Sequence, residues 1–160
     1  GHWYRDTRGN MLPGAEVFDM TTVARGPHDP RCVGDVLATS SVGAIDKVVG
    51  FENHGGRTYL GADAQPFARV EYGFGNNGAD GTEGAVYREA IGTYLHGSVL
   101  PKNPRLLVHL ITAALRHAGA EALPAEALTQ VLDDPIANRA HEAASAVARA
   151  RSQRFSGVAR

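Results

Sequence analysis

The residue best placed to do chemistry is the histidine in Gly92-Thr93-Tyr94-Leu95-His96-Gly97. Ile91, Thr93 and Tyr94 favour a strand, and Gly97 frees the backbone directly after His96. In α/β proteins ligands bind at the carboxyl ends of strands, so an imidazole placed there can face a ligand. The alternative is a histidine that merely caps a loop. A second group of polar residues precedes it. Arg31 stands in Pro30-Arg31-Cys32-Val33-Gly34, and an arginine fork suits a carboxylate or a fixed acidic partner. It could equally be an ordinary strand-edge arginine. Glu52, Asn53, His54 and Arg57 fall in Gly50-Phe51-Glu52-Asn53-His54-Gly55-Gly56-Arg57-Thr58. They can bind a ligand or shape a pocket. Alternatively, Asn side chains stabilise a turn there, and Glu52 satisfies loop amides. The one cysteine, Cys32, lies inside an alternating strand pattern, where a free thiol is usually a small buried hydrophobe. His2, His28, His109, His117 and His141 show no metal spacing, and no metal is expected. No Gly-x-x-x-x-Gly-Lys-Ser/Thr loop is present, so no nucleotide site or other cofactor is expected.

The elements that must position these residues follow from period and punctuation. Residues 15–22 read as a strand. Residues 31–40 alternate as a strand, 41–44 turn, and 45–51 form the next strand. So tight a connection favours a hairpin, hence a mixed sheet. Residues 54–56 read as a tight turn and 68–73 as a short strand. Residues 73–84, with five glycines and two asparagines, read as a long surface loop, and 85–87 as a short strand. A helix is expected over 103–118, with Asn103 as N-cap, Pro104 at the first helical position and Gly119 as its stop. Leu123-Pro124 opens a short helical segment. Residues 135–150 read as an alanine-rich surface helix, and the arginine-bearing tail from Arg151 as frayed.

The totals bound the class. A chain of 160 residues with 43% hydrophobic and 21% charged residues can bury one core as a globular domain, or part of one. A net charge of −1 gives no reason to expect nucleic acid or an anionic membrane as partner. A single cysteine forms no internal disulfide, which points to a reducing compartment. No apolar run approaches a membrane span, and the first residues lack the apolar region of a signal peptide. The chain does not begin with Met, so processing, tagging or truncation is expected.

Three motifs together carry a resemblance. Gly92-Thr93-Tyr94-Leu95-His96-Gly97, the Gly50 to Thr58 stretch and Gly75-Asn76-Asn77 occur in the order found in CobB/CobQ-type glutamine amidotransferases. The Phe-Glu-Asn-His wording and the Gly-Asn-Asn resemble one branch, the GatD-type glutaminase subunit of lipid II isoglutaminyl synthase. The match runs from about residue 1 to residue 115. It implies an α/β fold, the class I glutamine amidotransferase three-layer sandwich with a mixed sheet, here N-terminally incomplete. Residues 1–118 would be the C-terminal part of that domain, and 119–160 a helical extension and frayed tail.

The resemblance also implies roles. His96 matches the family's catalytic histidine, the base for a thiol that attacks the side-chain amide of L-glutamine. The cysteine elbow that carries the thiol is absent, and Cys32 lacks its flanking glycines, so this chain is expected to be inactive alone. The carboxylate that often follows the histidine by two residues is replaced by Ser98, and Glu52 is the candidate substitute orienter. Arg31, Glu52, Asn53, His54 and Arg57 are the candidate substrate-binding residues. The implied partner is a MurT-type Mur ligase in a heterodimer. That ligase would hold any nucleotide and amidate the D-glutamate of the lipid II stem peptide in the cytoplasm, without insertion of this chain into the membrane. The alternatives are cobyrinic or cobyric acid amidation, and a non-catalytic ligase-binding module.

Overall fold

Strands β4 (Cys32–Ser40) and β5 (Lys47–His54) form the antiparallel hairpin around which the molecule is built. A 3₁₀ turn, Gly43–Ile45, connects them. The structure is a computed structural model that describes residues 1–120, 127–128, 130 and 134–156. Val36, Ala38 and Val48 point to one face of the hairpin and pack with Phe67, Leu95 and Leu106. Leu37 and Val49 point to the other and pack with Ala148, Ala144 and Tyr72. A strand pair buried on both faces needs apolar residues in both parities, which is why Val36-Leu37-Ala38 and Val48-Val49 break the strict alternation.

β7 (Ala68–Tyr72) and β8 (Thr82–Glu83) extend this sheet in the order β5-β4-β7-β8, all antiparallel. A second sheet holds β1 (Trp3–Arg5), β2 (Met11–Pro13), β3 (Met20–Ala24) and β6 (Gly56–Leu60) in the order β2-β1-β3-β6. β1 and β3 are parallel and the other pairs antiparallel, so this is the mixed sheet. β9 (Ala85–Tyr87) and β10 (Ala90–Gly92) form a separate ribbon. Helices α1 (Val99–Lys102), α2 (Pro104–His117) and α3 (Pro135–Ser156) complete the α/β architecture. α2 gives Leu106 to one core, and α3 gives Ala144 and Ala148 to the other.

Several expectations are corrected. The strand expected at 15–22 starts later, at Met20, after Glu16 takes a positive φ of 56°. The turn expected at 54–56 is narrowed to Gly55: β5 ends at His54, and β6 begins at Gly56 and pairs with β3. Residues 73–84 are a surface loop only in part: 73, 74 and 78–81 are exposed, whereas 75–77 and 82–84 are buried. Asn76 and Asn77 are buried, and the Asn76 amide bonds Thr82 Oγ1, the Gly84 carbonyl and the Gly84 N–H. Polar side chains thus fold this glycine-rich run inward. Asn103 precedes α2 but makes no side-chain capping bond, and Pro104 opens the helix. Arg151 bonds Asp35 at 2.6 Å as part of α3. The segment at Leu123-Pro124 and the end of the tail lie outside the described residues.

Candidate functional site

β5 sets two environments by its parity. Phe51 and Asn53 are exposed, whereas Glu52 and His54 are buried. His96 joins the free edge of β5 by an isolated antiparallel bridge to Phe51, its N–H donating to the Phe51 carbonyl at 2.6 Å. Residues directly opposite in such a bridge project to the same face. Val33 lies opposite Asn53 in the hairpin register. His96, Phe51, Asn53 and Val33 therefore share one exposed face. Arg31 reaches it from just before β4. Its Nε and Nη2 donate to Asn53 Oδ1 at 3.1 and 2.9 Å, and Nη2 also donates to the Asn53 carbonyl at 3.1 Å. Gly55 leaves room for the fork, since a Cβ there would come within 3.1 Å of Arg31 Nη1. The His96 imidazole makes no hydrogen bond to the described residues and is exposed, so it can reach a reacting group.

The segment leading to His96 is tied down residue by residue. Thr93 Oγ1 and the Tyr94 N–H both donate to Glu83 Oε1, at 2.5 and 2.8 Å. Tyr94 Oη bonds Thr58 Oγ1 at 2.7 Å. Leu95 is buried in the core, where a Cβ on Gly50 would sit 3.0 Å from its own Cβ. Beyond His96, Gly97 and Ser98 take left-handed φ values of 58° and 56°, which turns the chain into α1. The strand expected from Ile91 to His96 is thus only the short β10, Ala90–Gly92, followed by a segment pinned by side chains up to the bridge at His96.

The opposite face of β5 is interior. Glu52 accepts the Phe74 N–H on Oε1 at 2.6 Å, and the Gly75 N–H at 3.0 Å and His54 Nε2 at 3.3 Å on Oε2. It is fully buried and makes no bond to His96. The structure therefore replaces the expected orienter of His96 by a carboxylate that satisfies loop amides. His54 donates from Nδ1 to the Gly56 carbonyl at 2.8 Å and stacks on the Tyr94 ring, centroids 3.7 Å apart and planes 12° from parallel. Arg57 Nη2 donates to the Pro30 carbonyl at 2.6 Å, while Nη1 is buried without a hydrogen-bond partner among the described residues. Glu52, His54 and Arg57 belong to this buried cluster and not to the face that carries His96, Arg31 and Asn53.

Cys32 sits in the same interior cluster, opposite His54 in the hairpin register. Burial pushes its thiol up, with the Arg57 guanidinium pulling the other way. The donor atoms of Cys32, Glu52 and His54 lie within 4.8 Å of one another, a spacing that a metal could use. The surroundings do not suit a cation: the Arg57 guanidinium stands beside the thiol, and both Glu52 oxygens already accept backbone N–H groups. Glu83 and Tyr94 were not among the residues picked out from the sequence. Glu83 is fully buried, its carboxyl pushed up by burial against the pull of Thr93 and Tyr94, and its Oε2 has no hydrogen-bond partner among the described residues. The signal for them was Gly84, whose φ of 63° brings β9 so close that a Cβ would lie 2.2 Å from the Gly92 carbonyl.

The sequence profile of the CobB/CobQ-like glutamine amidotransferase domain matches residues 1–104. The chain belongs to this family. Within the CobB/CobQ-like amidotransferases, it is 37% identical over 126 residues to the Staphylococcus aureus lipid II isoglutaminyl synthase (glutamine-hydrolyzing) subunit GatD. That alignment covers 79% of this chain and 49% of the relative. It is 32% identical over 137 residues to the GatD subunit of Streptococcus pneumoniae, covering 86% of this chain and 52% of the relative. A probable cobyric acid synthase of Methanothermobacter thermautotrophicus is 48% identical over 52 residues, 32% of this chain and 10% of the relative. The chain spans about half the length of the two GatD relatives. His96 and the Arg31–Asn53 pair lie inside the span matched by the amidotransferase profile.

Proposed function

We propose that this chain is the histidine-bearing part of a glutaminase that releases ammonia from L-glutamine, with His96 as the general base. The observation that supports this is the shared exposed face. His96 is anchored by its backbone to Phe51, its ring makes no hydrogen bond among the described residues, and the Arg31–Asn53 fork stands on the same surface. A glutaminase needs a thiolate, a base that takes the thiol proton and returns it to the departing ammonia, and donors for the oxyanion. His96 supplies the base. Arg31 presents a guanidinium to the α-carboxylate of glutamine, held in place by Asn53. Cys32 is enclosed on the other side of the sheet, so the thiol that His96 serves comes from outside these residues. On this reading these 160 residues alone do not hydrolyse glutamine.

The identity to the two GatD subunits favours ammonia delivery to a MurT-type ligase that amidates the D-glutamate of the lipid II stem peptide. Such a heterodimer would work in the cytoplasm; among the described residues no helix is long and apolar enough to cross a membrane. Residues 1–118 are then the C-terminal part of the amidotransferase domain and 119–160 its C-terminal extension. The short, high-identity match to a cobyric acid synthase supports corrinoid amidation as the second reading. The test is ammonia release from glutamine by the native full-length polypeptide, with any ligase that co-purifies. His96→Ala should lower turnover by about 10²- to 10⁴-fold, the range of a general base. Turnover that survives the substitution overturns the assignment.

A further inference from the structure

The buried cluster beneath β5 lies directly behind the segment that carries His96. Its centre is the His54 ring, enclosed by Glu52 on β5, Cys32 on β4, Arg57 on β6, Glu83 on β8 and Tyr94. A carbonyl oxygen can only accept, so Nδ1, 2.8 Å from the Gly56 carbonyl, carries a proton. Nε2 faces Glu52 Oε2 at 3.3 Å, and a ring lone pair would repel a carboxylate oxygen there. A hydrogen bond between these two atoms carries one proton, on the ring or on the carboxyl. The ring is thereby clamped at both nitrogens. Its flat face lies on Tyr94, two residues before His96.

We propose that His54 is a positioning residue for His96: held by its hydrogen bonds to Gly56 and Glu52, its ring fixes Tyr94 and so the approach of His96 to the edge of β5. Position passes along a short path. The His54 ring sets the Tyr94 ring, Thr58 holds its hydroxyl, and Glu83 holds its N–H. Leu95 then has one seat in the core against Gly50, and the His96 N–H meets Phe51. These contacts run without a break from the His54 ring to the His96 N–H, so a displaced Tyr94 ring displaces the imidazole. This inference deepens the glutaminase reading and rests on it for its kinetic arm only.

The experiment compares wild type with His54→Gln and Tyr94→Leu in the native full-length polypeptide, labelled with ¹⁵N. Long-range ¹H–¹⁵N spectra of wild type should show a proton on Nδ1 of His54 and a hydrogen bond at Nε2. In His54→Gln the His96 ring resonances should move, and turnover should fall about tenfold to a hundredfold with KM for glutamine unchanged, as misplacement of a reacting group predicts. Tyr94→Leu removes the stack and leaves the Glu52–His54–Gly56 bonds, so it should reproduce the loss and serves if His54→Gln does not fold. Unmoved His96 resonances with unaltered turnover in both variants would overturn the inference. So would a metal ion held by wild type and lost in His54→Gln, because metal on Nε2 leaves no hydrogen bond there. If wild type releases no ammonia at all, the glutaminase reading fails, and the His96 resonances still decide the positioning role.

Discussion

The N–H of His96 meets the carbonyl of Phe51 at 2.6 Å, the one backbone bridge that ties the histidine segment to β5. Because strand side chains alternate, this bridge decides which residues His96 can work with. Phe51 and Asn53 share its face, whereas Glu52 and His54 do not. A slip of one residue would turn His96 into the interior and exchange the two groups.

Arg31 and Asn53 are the first pair to test. Lysine at position 31 cannot give two N–H groups to Asn53 Oδ1 and a third bond to its carbonyl. Arg31→Lys should raise KM for glutamine by about tenfold or more, the loss of roughly 1.5–3 kcal/mol expected for a charged hydrogen bond. Both side chains are exposed, so the melting temperature should barely move. Steady-state kinetics with a thermal melt would separate the two effects. An unchanged KM would remove Arg31 from glutamine recognition.

Glu83 makes stability depend on pH with a definite sign. Its carboxyl is pushed above the ordinary value of 4.5, by burial first. A group raised in the folded state stabilises fully below its unfolded value and loses that contribution as pH rises through the folded one. Wild type should therefore lose stability relative to Glu83→Gln as pH climbs from the ordinary carboxyl range. The loss is about 1.4 kcal/mol for each unit by which burial raises the group. Urea melts of both proteins at about pH 4 and about pH 8 measure it. A wild type that gains on Glu83→Gln with rising pH would mean that the carboxylate is stabilised inside.

Much of this was legible in the chain. The β4–β5 hairpin follows from the strand-forming run at 31–40 and the short turn at 41–44 that joins it to the next strand. α2 and its stop at Gly119 follow from Pro104 and the spacing of Leu106, Leu107 and Leu110. What could not be read was parity at the site. Glu52, Asn53 and His54 are consecutive, and only the position of the next layer tells which of them faces out. The inward fold of residues 73–84 was hidden for a related reason. Asn76 and Asn77 look like turn formers, and they do form turns, but their amides bond Thr82, Gly84 and Thr58 from within the core. Composition reports polarity and not which polar groups find each other.

Cys32 gives a sharp test of the thiol assignment. The thiolate is the reactive form, and burial works against it here. In the native full-length polypeptide Cys32 should react with Ellman's reagent only at the rate at which the protein opens, and Cys32→Val should keep ammonia release. Fast labelling of Cys32 in the native state, with activity lost in step, would make it the nucleophile.

Asn103 holds the far side of the loop that follows His96. Its Oδ1 accepts the Val49 N–H at 2.8 Å, and its Nδ2 donates to the Val49 and Val99 carbonyls at 2.8 and 2.7 Å. A buried side-chain amide thus pairs with the edge of β5 as a neighbouring strand would, two residues from Phe51. Asn103→Ala leaves the Val49 N–H and two carbonyls short of partners, at about 1–3 kcal/mol for each buried group that stays unsatisfied. Asn103→Asp keeps the acceptor but removes both donations and buries a charge, so it should be no milder. Both variants should lower the urea midpoint by an amount fitting roughly 2–4 kcal/mol in total and reduce turnover, since the edge that receives the His96 N–H loosens with it. A midpoint that stays at the wild-type value in Asn103→Ala would show that water replaces the amide. The bridge between His96 and Phe51 would then stand without Asn103.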